Sequence, residues 1–235
     1  MISVLIPAYD AAMFIGECLE SVRAQECVPI EIMVGVDGCQ ATLDAVIPLM
    51  AAYPELRVLA FPKNNGPYVV RNTLAQRCTG DFLIFFDADD LMLPGLITWT
   101  IGHTDKAVAI RYLFRTEYIH AIGRCREICG RQGANGVFGI RRDSFERLGG
   151  FHAWPCSADS EFHLRCVKEF GPPVVSPRAL FVYRKHAGCL TVKKATNSQS
   201  LTRVRYRAMV RRQRADGNFK TAITPTFGKA VEVLR

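Results

Sequence analysis

The first hundred residues alternate short apolar runs with stretches of helical spacing, and this alternation limits the fold more than any other feature. Short apolar runs predict buried strands, and apolar residues recurring every three or four positions predict helices. The predicted strands are Ile2–Pro7, Ile30–Val36, Leu56–Phe61 and Phe82–Phe86, and the predicted helices between them are Met13–Ala24, Thr42–Ala52 and Val69–Arg77. Strands that alternate with helices in this way predict βαβ units and a largely parallel sheet.

The pattern changes after residue 106, where strand-like segments follow one another without long helices. The predicted strands are Val108–Phe114, Glu117–Cys125 and Gly136–Arg141, and a predicted helix over Ser157–Phe170 precedes a strand over Leu180–Arg184. Strands in direct succession favour antiparallel pairing. We therefore predict an α/β fold, with a mostly parallel central sheet flanked by helices and a small mixed or antiparallel edge.

Length and composition fit one domain with a full core, because 49% of the 235 residues are hydrophobic. The nine cysteines are odd in number and scattered, so buried reduced thiols are expected. No run approaches the roughly 18 apolar residues needed to span a bilayer. The first basic residue is Arg23, which is not typical of a secretory leader. We expect a cytoplasmic protein, or one peripheral to the inner face of the membrane.

The net charge of +8 favours an anionic partner, and the basic excess is concentrated late in the chain. The segment Leu201–Arg214 carries six arginines, and Leu201, Val204 and Ala208 could form a narrow apolar stripe on a helix. Two interpretations stay open: a helix that rests on an anionic membrane, or a solvated helix packed weakly on the core. Basic patches interleaved with aromatic residues are not seen before this tail, so no nucleic-acid partner is expected.

The segment GDFLIFFDADD places three carboxylates directly after a predicted buried strand. Ligands of open α/β sheets bind beyond the carboxyl ends of the strands. Asp87, Asp89 and Asp90 would repel one another there unless a cation neutralised them. Oxygen ligands suit Mg²⁺ or Mn²⁺, which are often shared with substrate phosphates. The alternative is a solvated acidic turn that caps the next helix, and this remains open for Asp90.

Two more strand ends and one helix carry polar candidates for the same edge. The first strand leads into Pro7, Ala8 and Tyr9, and the Tyr9 ring could pack against a nucleotide base. The second strand ends at Asp37, which could accept hydrogen bonds from a base or ribose. The alternative for Asp37 is an ordinary Asp-Gly turn. Arg71, in the third predicted helix, could face a nucleotide through its fork of donors or could lie on the surface.

The order of several segments resembles a known family. The matching segments are ISVLIPAYDAAMFIGECLESVRAQ, EIMVGVDGC, NNGPYVVRNTLAQRCTGDFLIFFDADDLMLPG, GVFGIRRDSFERLGGF, ADSEFHLR and YRKHAGCLT. Each segment alone is weak, but their ordered recurrence over residues 2–192 is specific. The chain resembles the family 2 glycosyltransferases, the inverting enzymes of the GT-A fold.

The resemblance implies roles for individual residues. Asp37 matches the acid that holds the nucleotide base, and Arg71 falls where a base-contacting arginine often lies. Asp87 and Asp89 match the Asp-x-Asp motif, in which the first acid contacts the ribose side and the second binds the metal. The remaining implied roles are nucleotide contact by Ala88, metal or diphosphate contact by His186, and catalytic base for Asp159. An inverting base must be ionised, and a first-turn position after an N-cap at Ser157 favours that.

Two departures from the family pattern are present. The paired acids expected before Asp37 are here Val36–Asp37, and the pair around the base is Ala158–Asp159, so each lacks its first member. The alternative for Asp159 is plain helix electrostatics, and for His186 it is a structural loop histidine. The loss at Ala158 could alter acceptor binding or the tuning of Asp159.

The resemblance also implies a domain plan and a reaction. Residues 1–192 are expected to form one domain, with a nucleotide-binding half over 1–100 and an acceptor-binding half over 101–192, followed by a basic tail over 193–235. The implied activity is metal-dependent, inverting transfer from a nucleotide-diphosphate sugar, of UDP type, to a saccharide or lipid-linked saccharide in surface polysaccharide, lipopolysaccharide or capsule synthesis. The alternatives are a sugar nucleotidyltransferase, which would want a glycine-rich phosphate loop after the first strand, and an inactive nucleotide-binding module.

Overall fold

The computed structural model describes residues 1–25, 30–105, 107–120, 123–130, 136–217 and 221–234. It is an α/β structure built on one ten-stranded sheet. The strands are β1 (Ile2–Ala8), β2 (Ile30–Asp37), β3 (Leu56–Phe61), β4 (Phe82–Phe85), β5 (Leu91–Met92), β6 (Ala109–His120), β7 (Gly123–Gly130), β8 (Phe138–Arg141), β9 (Val174–Lys185) and β10 (Val231–Val233). The helices are α1 (Ile15–Arg23), α2 (Gln40–Ala52), α3 (Pro67–Arg77), α4 (Leu96–Ile101), α5 (Arg142–Arg147), α6 (Ala158–Phe170) and α7 (Leu201–Asp216).

The strand order is β10-β3-β2-β1-β4-β8-β6-β9-β5, with β7 paired to β6. The four strands β3, β2, β1 and β4 are parallel, and β8 joins β4 in antiparallel orientation. From β1 the chain proceeds to β2 and β3 on one side, and it then returns through α3 to β4 on the other side of β1. This reversal makes the carboxyl ends of β1 and β4 a topological switch point, where α/β folds place their ligands.

Helices cover both faces of the parallel strands, which explains their continuous apolar runs. In β1, Val4 and Ile6 pack in one apolar cluster with α1 and α2, whereas Leu5 packs in the other with α3 and α6. The same alternation holds in β4, where Ile84 and Phe85 enter opposite clusters. Side chains of a strand point alternately to the two faces, so only a strand buried on both faces is apolar at every position.

The fold class and the first seven predicted elements are confirmed. The part of the sheet beyond β4 is larger than the small mixed or antiparallel edge that was expected, because β5, β6, β7, β8 and β9 all join it. It is mixed, since β6 and β9 pair in parallel whereas its other pairs are antiparallel. The predicted break between a strand over 108–114 and another over 117–125 is wrong: β6 runs without interruption through Arg115 and Thr116. These polar residues interrupt the apolar pattern but not the pairing, which continues along β9.

The chain after residue 192 returns to the core in two places that the sequence pattern did not predict. β10 pairs antiparallel with β3 at the edge of the sheet. Before it, Ile223 N donates to Leu148 O at 3.1 Å and Gly228 N donates to the Thr73 hydroxyl at 2.8 Å. The helix anticipated over 201–214 is present as α7.

Two compositional expectations can be compared with the structure. The six cysteines whose side chains are described are free, and all but Cys39 are buried, as predicted for reduced thiols. Within the described part of the chain, no helix combines the length and the apolar character needed to cross a bilayer.

Candidate active site

A cleft of about 760 Å³ opens at the carboxyl ends of β1, β2 and β4, at the switch point of the sheet. Residues distant in the sequence meet there because parallel strands end at one edge. All ten residues singled out in the sequence line this cleft: Pro7, Ala8, Tyr9, Asp37, Arg71, Asp87, Ala88, Asp89, Asp159 and His186. The structure therefore brings the whole predicted set together, and their individual roles remain predictions.

Asp37 is buried and fixes the loop before α3. Its Oδ1 accepts from Asn65 N at 2.8 Å, and its Oδ2 accepts from Gly66 N at 2.8 Å. Gly38 follows with a φ of +67°, so the Asp-Gly turn considered from the sequence is also present. The Asp37 carboxylate holds the loop that forms one wall of the cleft, and Asp37 also lines the cleft. A carboxylate has about four acceptor positions, so these bonds do not exhaust it.

Arg71 and Asp87 form an ion pair inside the cleft. Arg71 is buried on α3, which excludes the surface-arginine interpretation, and its Nη2 donates to Asp87 Oδ1. Gly136 approaches this pair so closely that a Cβ there would lie 2.9 Å from Asp87 Oδ2. The Arg71 Nε has no hydrogen-bond partner in the structure although it is buried. An unsatisfied buried donor is costly, so this atom is an exception to the usual pairing of buried polar groups.

Asp89 meets the turn that follows β9. Its Oδ2 lies 2.9 Å from His186 Nε2 and 3.7 Å from Cys189 Sγ. The three side chains could hold a cation, because their ligand atoms all lie within 4.8 Å of one another. Burial raises the pKa of the Cys189 thiol to about 12, with the charge of Asp89 adding to the effect. Oxygen and imidazole nitrogen donors fit Mn²⁺, and the cluster therefore fits a divalent ion.

Arg184, which is fully buried, helps to hold the candidate metal ligands Asp89 and His186 in position. The side chain of Arg184 donates to the backbone carbonyl of Asp89 and to Glu17 of α1. The Phe14 ring lies between Arg184 and His186: the Arg184 guanidinium is 5.1 Å from the ring centroid, and the His186 ring is 4.3 Å away. These contacts fix both Asp89 and His186 relative to α1.

Asp90 is not a solvated helix cap, so that interpretation is wrong. Its side chain is fully buried, its Oδ1 accepts from Arg184 N at 2.9 Å, and α4 begins only at Leu96. Burial raises its pKa well above the usual range, and the charges of Asp89 and Asp87 push in the same direction. Three crowded carboxyl groups of this kind favour the binding of a cation.

Asp159 lies in the first turn of α6, as predicted. Its Oδ1 accepts from Ser160 N at 2.8 Å and from the Tyr68 hydroxyl at 3.1 Å. Ser157 takes the N-cap position, but its side chain makes no capping hydrogen bond and its φ is +66°. Among the described residues, Asp10 and Ser157 are the two non-glycine residues with positive φ, and both line the cleft. Strained backbone of this kind concentrates at functional sites.

A buried ion pair holds α6 in place beneath the site. Arg165 donates to both Glu161 oxygens, to Leu148 O at 2.6 Å and to Gly150 O at 2.7 Å. The turn at Leu148–Gly150 is thereby fixed to the helix that carries Asp159.

Several cleft residues were missed by the sequence analysis. Tyr68 adjoins the segment that was examined, but nothing in the pattern showed that it would reach Asp159. Cys189 had a usable signal, since it follows His186 by three residues. The other additions are basic residues near the cleft mouth: Lys185, Lys193, Arg203 and Arg207. Their positions follow from the path of the chain after β9, which local periodicity does not predict.

A cleft lined by acidic residues at the carboxyl ends of parallel strands is where α/β folds of this kind bind their ligands. Residues 3–128, more than half of the chain, match the family described as Glycosyl transferase family 2. The chain belongs to this family.

Curated relatives are similar to less than half of the chain. It is 34% identical over 110 residues to the "Succinoglycan biosynthesis protein ExoO" of Rhizobium meliloti (strain 1021), covering 46% of this chain and 31% of that protein. It is 35% identical over 98 residues to the "Uncharacterized glycosyltransferase YwdF" of Bacillus subtilis (strain 168), covering 41% of this chain and 35% of that protein. The chain therefore matches about a third of the length of these relatives.

Solved structures share the fold over more of the chain. A mannosyltransferase from Pyrobaculum calidifontis, in complex with GDP-Man and Mn²⁺, superposes with a TM-score of 0.68 at 18% identity and covers 95% of this chain and 66% of that one. S. aureus TarS 1-349, in complex with UDP, superposes with a TM-score of 0.65 at 19% identity and covers 79% and 61%. At this identity the likeness establishes the fold.

Proposed function

We propose that this protein transfers a sugar from a nucleotide-diphosphate sugar to an acceptor hydroxyl, with inversion at the anomeric carbon. The observation that carries the proposal is the cleft that joins the Asp89–His186 cluster with Asp159. Leaving-group stabilisation and proton removal are the two kinds of help that such a transfer needs. The cleft contains a candidate for each.

The donor nucleotide is proposed to lie against the ends of β1 and β2. Tyr9, half-exposed in the cleft, offers a ring face for the base, and Asp37 offers acceptors at the opposite side. Arg71 and Asp87 line the same cleft, and we expect the ribose to lie beside them. UDP is the nucleotide we propose, and the complexes of TarS with UDP and with UDP-GlcNAc are compatible with it.

Asp89 and His186 are proposed to hold a divalent cation, Mn²⁺ or Mg²⁺. When bound, this cation supplies positive charge for the departing diphosphate. The residues of the chain fix its place: Arg184 orients Asp89 through the backbone, and Phe14 supports the ring of His186. The Mn²⁺ complex of the similar mannosyltransferase is compatible with such a site.

Asp159 is proposed as the base that removes the proton of the acceptor hydroxyl. Both of its hydrogen bonds go to Oδ1, so Oδ2 is the oxygen that we expect to take the proton. The Tyr68 hydroxyl keeps the carboxylate in one orientation. Burial raises the pKa of Tyr68 well above its usual value, so the phenol stays protonated and continues to donate.

The direct test is a screen of nucleotide sugars for slow, metal-dependent hydrolysis, a side reaction that needs no acceptor. We expect one uridine diphosphate sugar to be hydrolysed in Mn²⁺ and none in a chelator, with nucleotide release as the readout. Asp44→Asn, which changes an exposed carboxylate on α2, is the matched control and should behave as wild type. Hydrolysis that is unaffected by chelator would contradict the metal-dependent mechanism.

The acceptor is proposed to be a saccharide or lipid-linked saccharide at an anionic membrane, with α7 as the contact. Leu201 and Val204 are 88% and 50% exposed. Arg205 and Arg212 are exposed on the same side of the helix. The opposite side of α7 faces the core, where Tyr206 packs against Trp154 with ring centroids 4.9 Å apart. The name of ExoO, a succinoglycan biosynthesis protein, is compatible with a role in polysaccharide synthesis.

Vesicle binding should depend on acidic lipid and on the outer arginines of α7. The double variant Arg205→Gln, Arg212→Gln should bind acidic vesicles about thirtyfold more weakly, since each arginine near such a surface contributes about 1 kcal/mol. Co-sedimentation with neutral and acidic vesicles measures this. The control double variant, Arg23→Gln with Arg147→Gln, changes exposed arginines on other helices and should bind as wild type. Equal binding to neutral and acidic vesicles would refute the contact.

A further inference from the structure

The turn after β9 presents two different metal-binding side chains to Asp89. Cys189 N donates to His186 O at 3.1 Å, and His186 N donates to Cys189 Sγ at 3.3 Å, so the two residues close one tight turn. Gly188 allows the turn, because a Cβ there would lie 3.0 Å from the His186 ring. The imidazole and the thiol consequently reach the same oxygen, Oδ2 of Asp89.

The donor set of this cluster is one oxygen, one nitrogen and one sulfur. Mg²⁺ binds oxygen ligands, whereas thiolate and imidazole favour borderline-soft ions such as Zn²⁺ and Co²⁺. Three protein ligands with a fourth position open to a cleft is the arrangement of catalytic zinc sites. All three residues line the cleft, so the fourth position faces the space for the substrate.

We propose that Cys189 is a third protein ligand of this site, so that the site takes a cation of the zinc and cobalt class more tightly than Mg²⁺. The inference rests on the proposed function only in placing the cation beside the donor diphosphate. The bond formed is from the Cys189 sulfur to the cation, and the thiol proton is released to solvent. No oxidant or reductant is involved.

Binding of a cation by His186 requires one local rearrangement, which follows from the hydrogen bonds of the turn. Gly188 N donates to His186 Nδ1 at 3.1 Å, which leaves the ring proton on Nε2, where it points at Asp89. A cation at Nε2 moves that proton to Nδ1, and the Gly188 N–H must then turn away. Glycine permits such a change of backbone orientation at low cost. Cation binding is therefore coupled to the conformation of the 186–189 turn.

The test is titration of the whole chain with Co²⁺, followed by absorption spectroscopy. Wild type should develop a near-ultraviolet thiolate-to-cobalt charge-transfer band. Cys189→Ser should lose the band and bind Co²⁺ at least about tenfold more weakly, the lower end of what losing even an outer partner of a ligand costs. Its affinity for Mn²⁺ should change little. Cys39→Ser changes the half-buried cysteine outside the cluster and should keep the band.

A second measurement does not depend on any variant. X-ray absorption of the Zn²⁺-loaded wild type should show a sulfur neighbour at about 2.3 Å. A band that persists in Cys189→Ser, or a zinc shell of nitrogen and oxygen alone, would overturn thiolate ligation and leave the transferase proposal intact. A Cys189-dependent band in a chain that hydrolyses no nucleotide sugar would instead support the ligand and count against the transferase proposal.

Discussion

Asp159→Asn should lower kcat for sugar transfer by about 10²–10⁴-fold, the usual contribution of a positioned general base. The amide retains an acceptor for the Tyr68 hydroxyl and for Ser160 N, so the geometry of α6 should persist. What is lost is the capacity to take the acceptor proton. Transfer kinetics with saturating donor and metal measure the effect, and KM for the donor should change little.

The control for this variant is a matched substitution away from the cleft. Asp44→Asn makes the same chemical change on an exposed face of α2 and should leave kcat at the wild-type value. Calorimetry should show that Asp159→Asn binds UDP with near wild-type affinity. Undiminished transfer by Asp159→Asn would show that another group removes the proton.

Asp89→Asn should lower kcat/KM about a hundredfold or more, because a metal ion contributes several kcal/mol to transition-state charge and about 1.4 kcal/mol corresponds to a factor of ten. The carboxylate is the oxygen donor of the Asp89, His186 and Cys189 cluster. An amide of the same shape keeps the packing but supplies no negative charge to a cation. Initial rates over a Mn²⁺ titration measure the loss.

The matched control for Asp89→Asn is again Asp44→Asn. Excess Mn²⁺ distinguishes a variant that binds the cation weakly from one that cannot use the cation in the reaction. If Asp89 holds the cation, high Mn²⁺ should restore part of the activity of Asp89→Asn. A variant with wild-type rates at every Mn²⁺ concentration would remove Asp89 from the mechanism.

The parallel half of the fold could be predicted because its signals are local. The residues of β4 are apolar at every position, and so are those of β1 apart from Ser3; the predicted bounds differ from the observed ones by one residue. The mixed half of the sheet was less accessible to prediction, since the continuity of β6 depends on its parallel pairing with β9 and not on its own pattern. β10 has three residues and no periodicity, so only its contact with β3 defines it.

The residues of the candidate site that lie at strand ends could be predicted from the sequence. One rule, that parallel strands end at a common edge, is enough to predict that Asp37 and Asp89 lie in one cleft. The partners that orient them could not be found in this way. Tyr68 reaches Asp159 across 91 residues of sequence, and Arg184 reaches Asp89 across 95. Such contacts follow from tertiary packing, which a single sequence does not display.

The burial of Asp90 is a second feature that follows from tertiary packing and that the sequence pattern did not predict. Three acids within four residues after a strand are compatible with a solvated turn, and the sequence pattern left that alternative open for Asp90. Only the return of β9, whose Arg184 N–H donates to Asp90, shows that this carboxyl group is a structural element of the site.

The central claim is that Asp89 holds a cation against the diphosphate of the donor, and titration calorimetry with UDP tests it most directly. At the Mn²⁺ concentration that just saturates the wild type, wild type should bind UDP more tightly than in chelator, whereas Asp89→Asn should bind it equally in both. An Asp89→Asn protein that keeps the full Mn²⁺-dependent gain in UDP affinity would contradict the account.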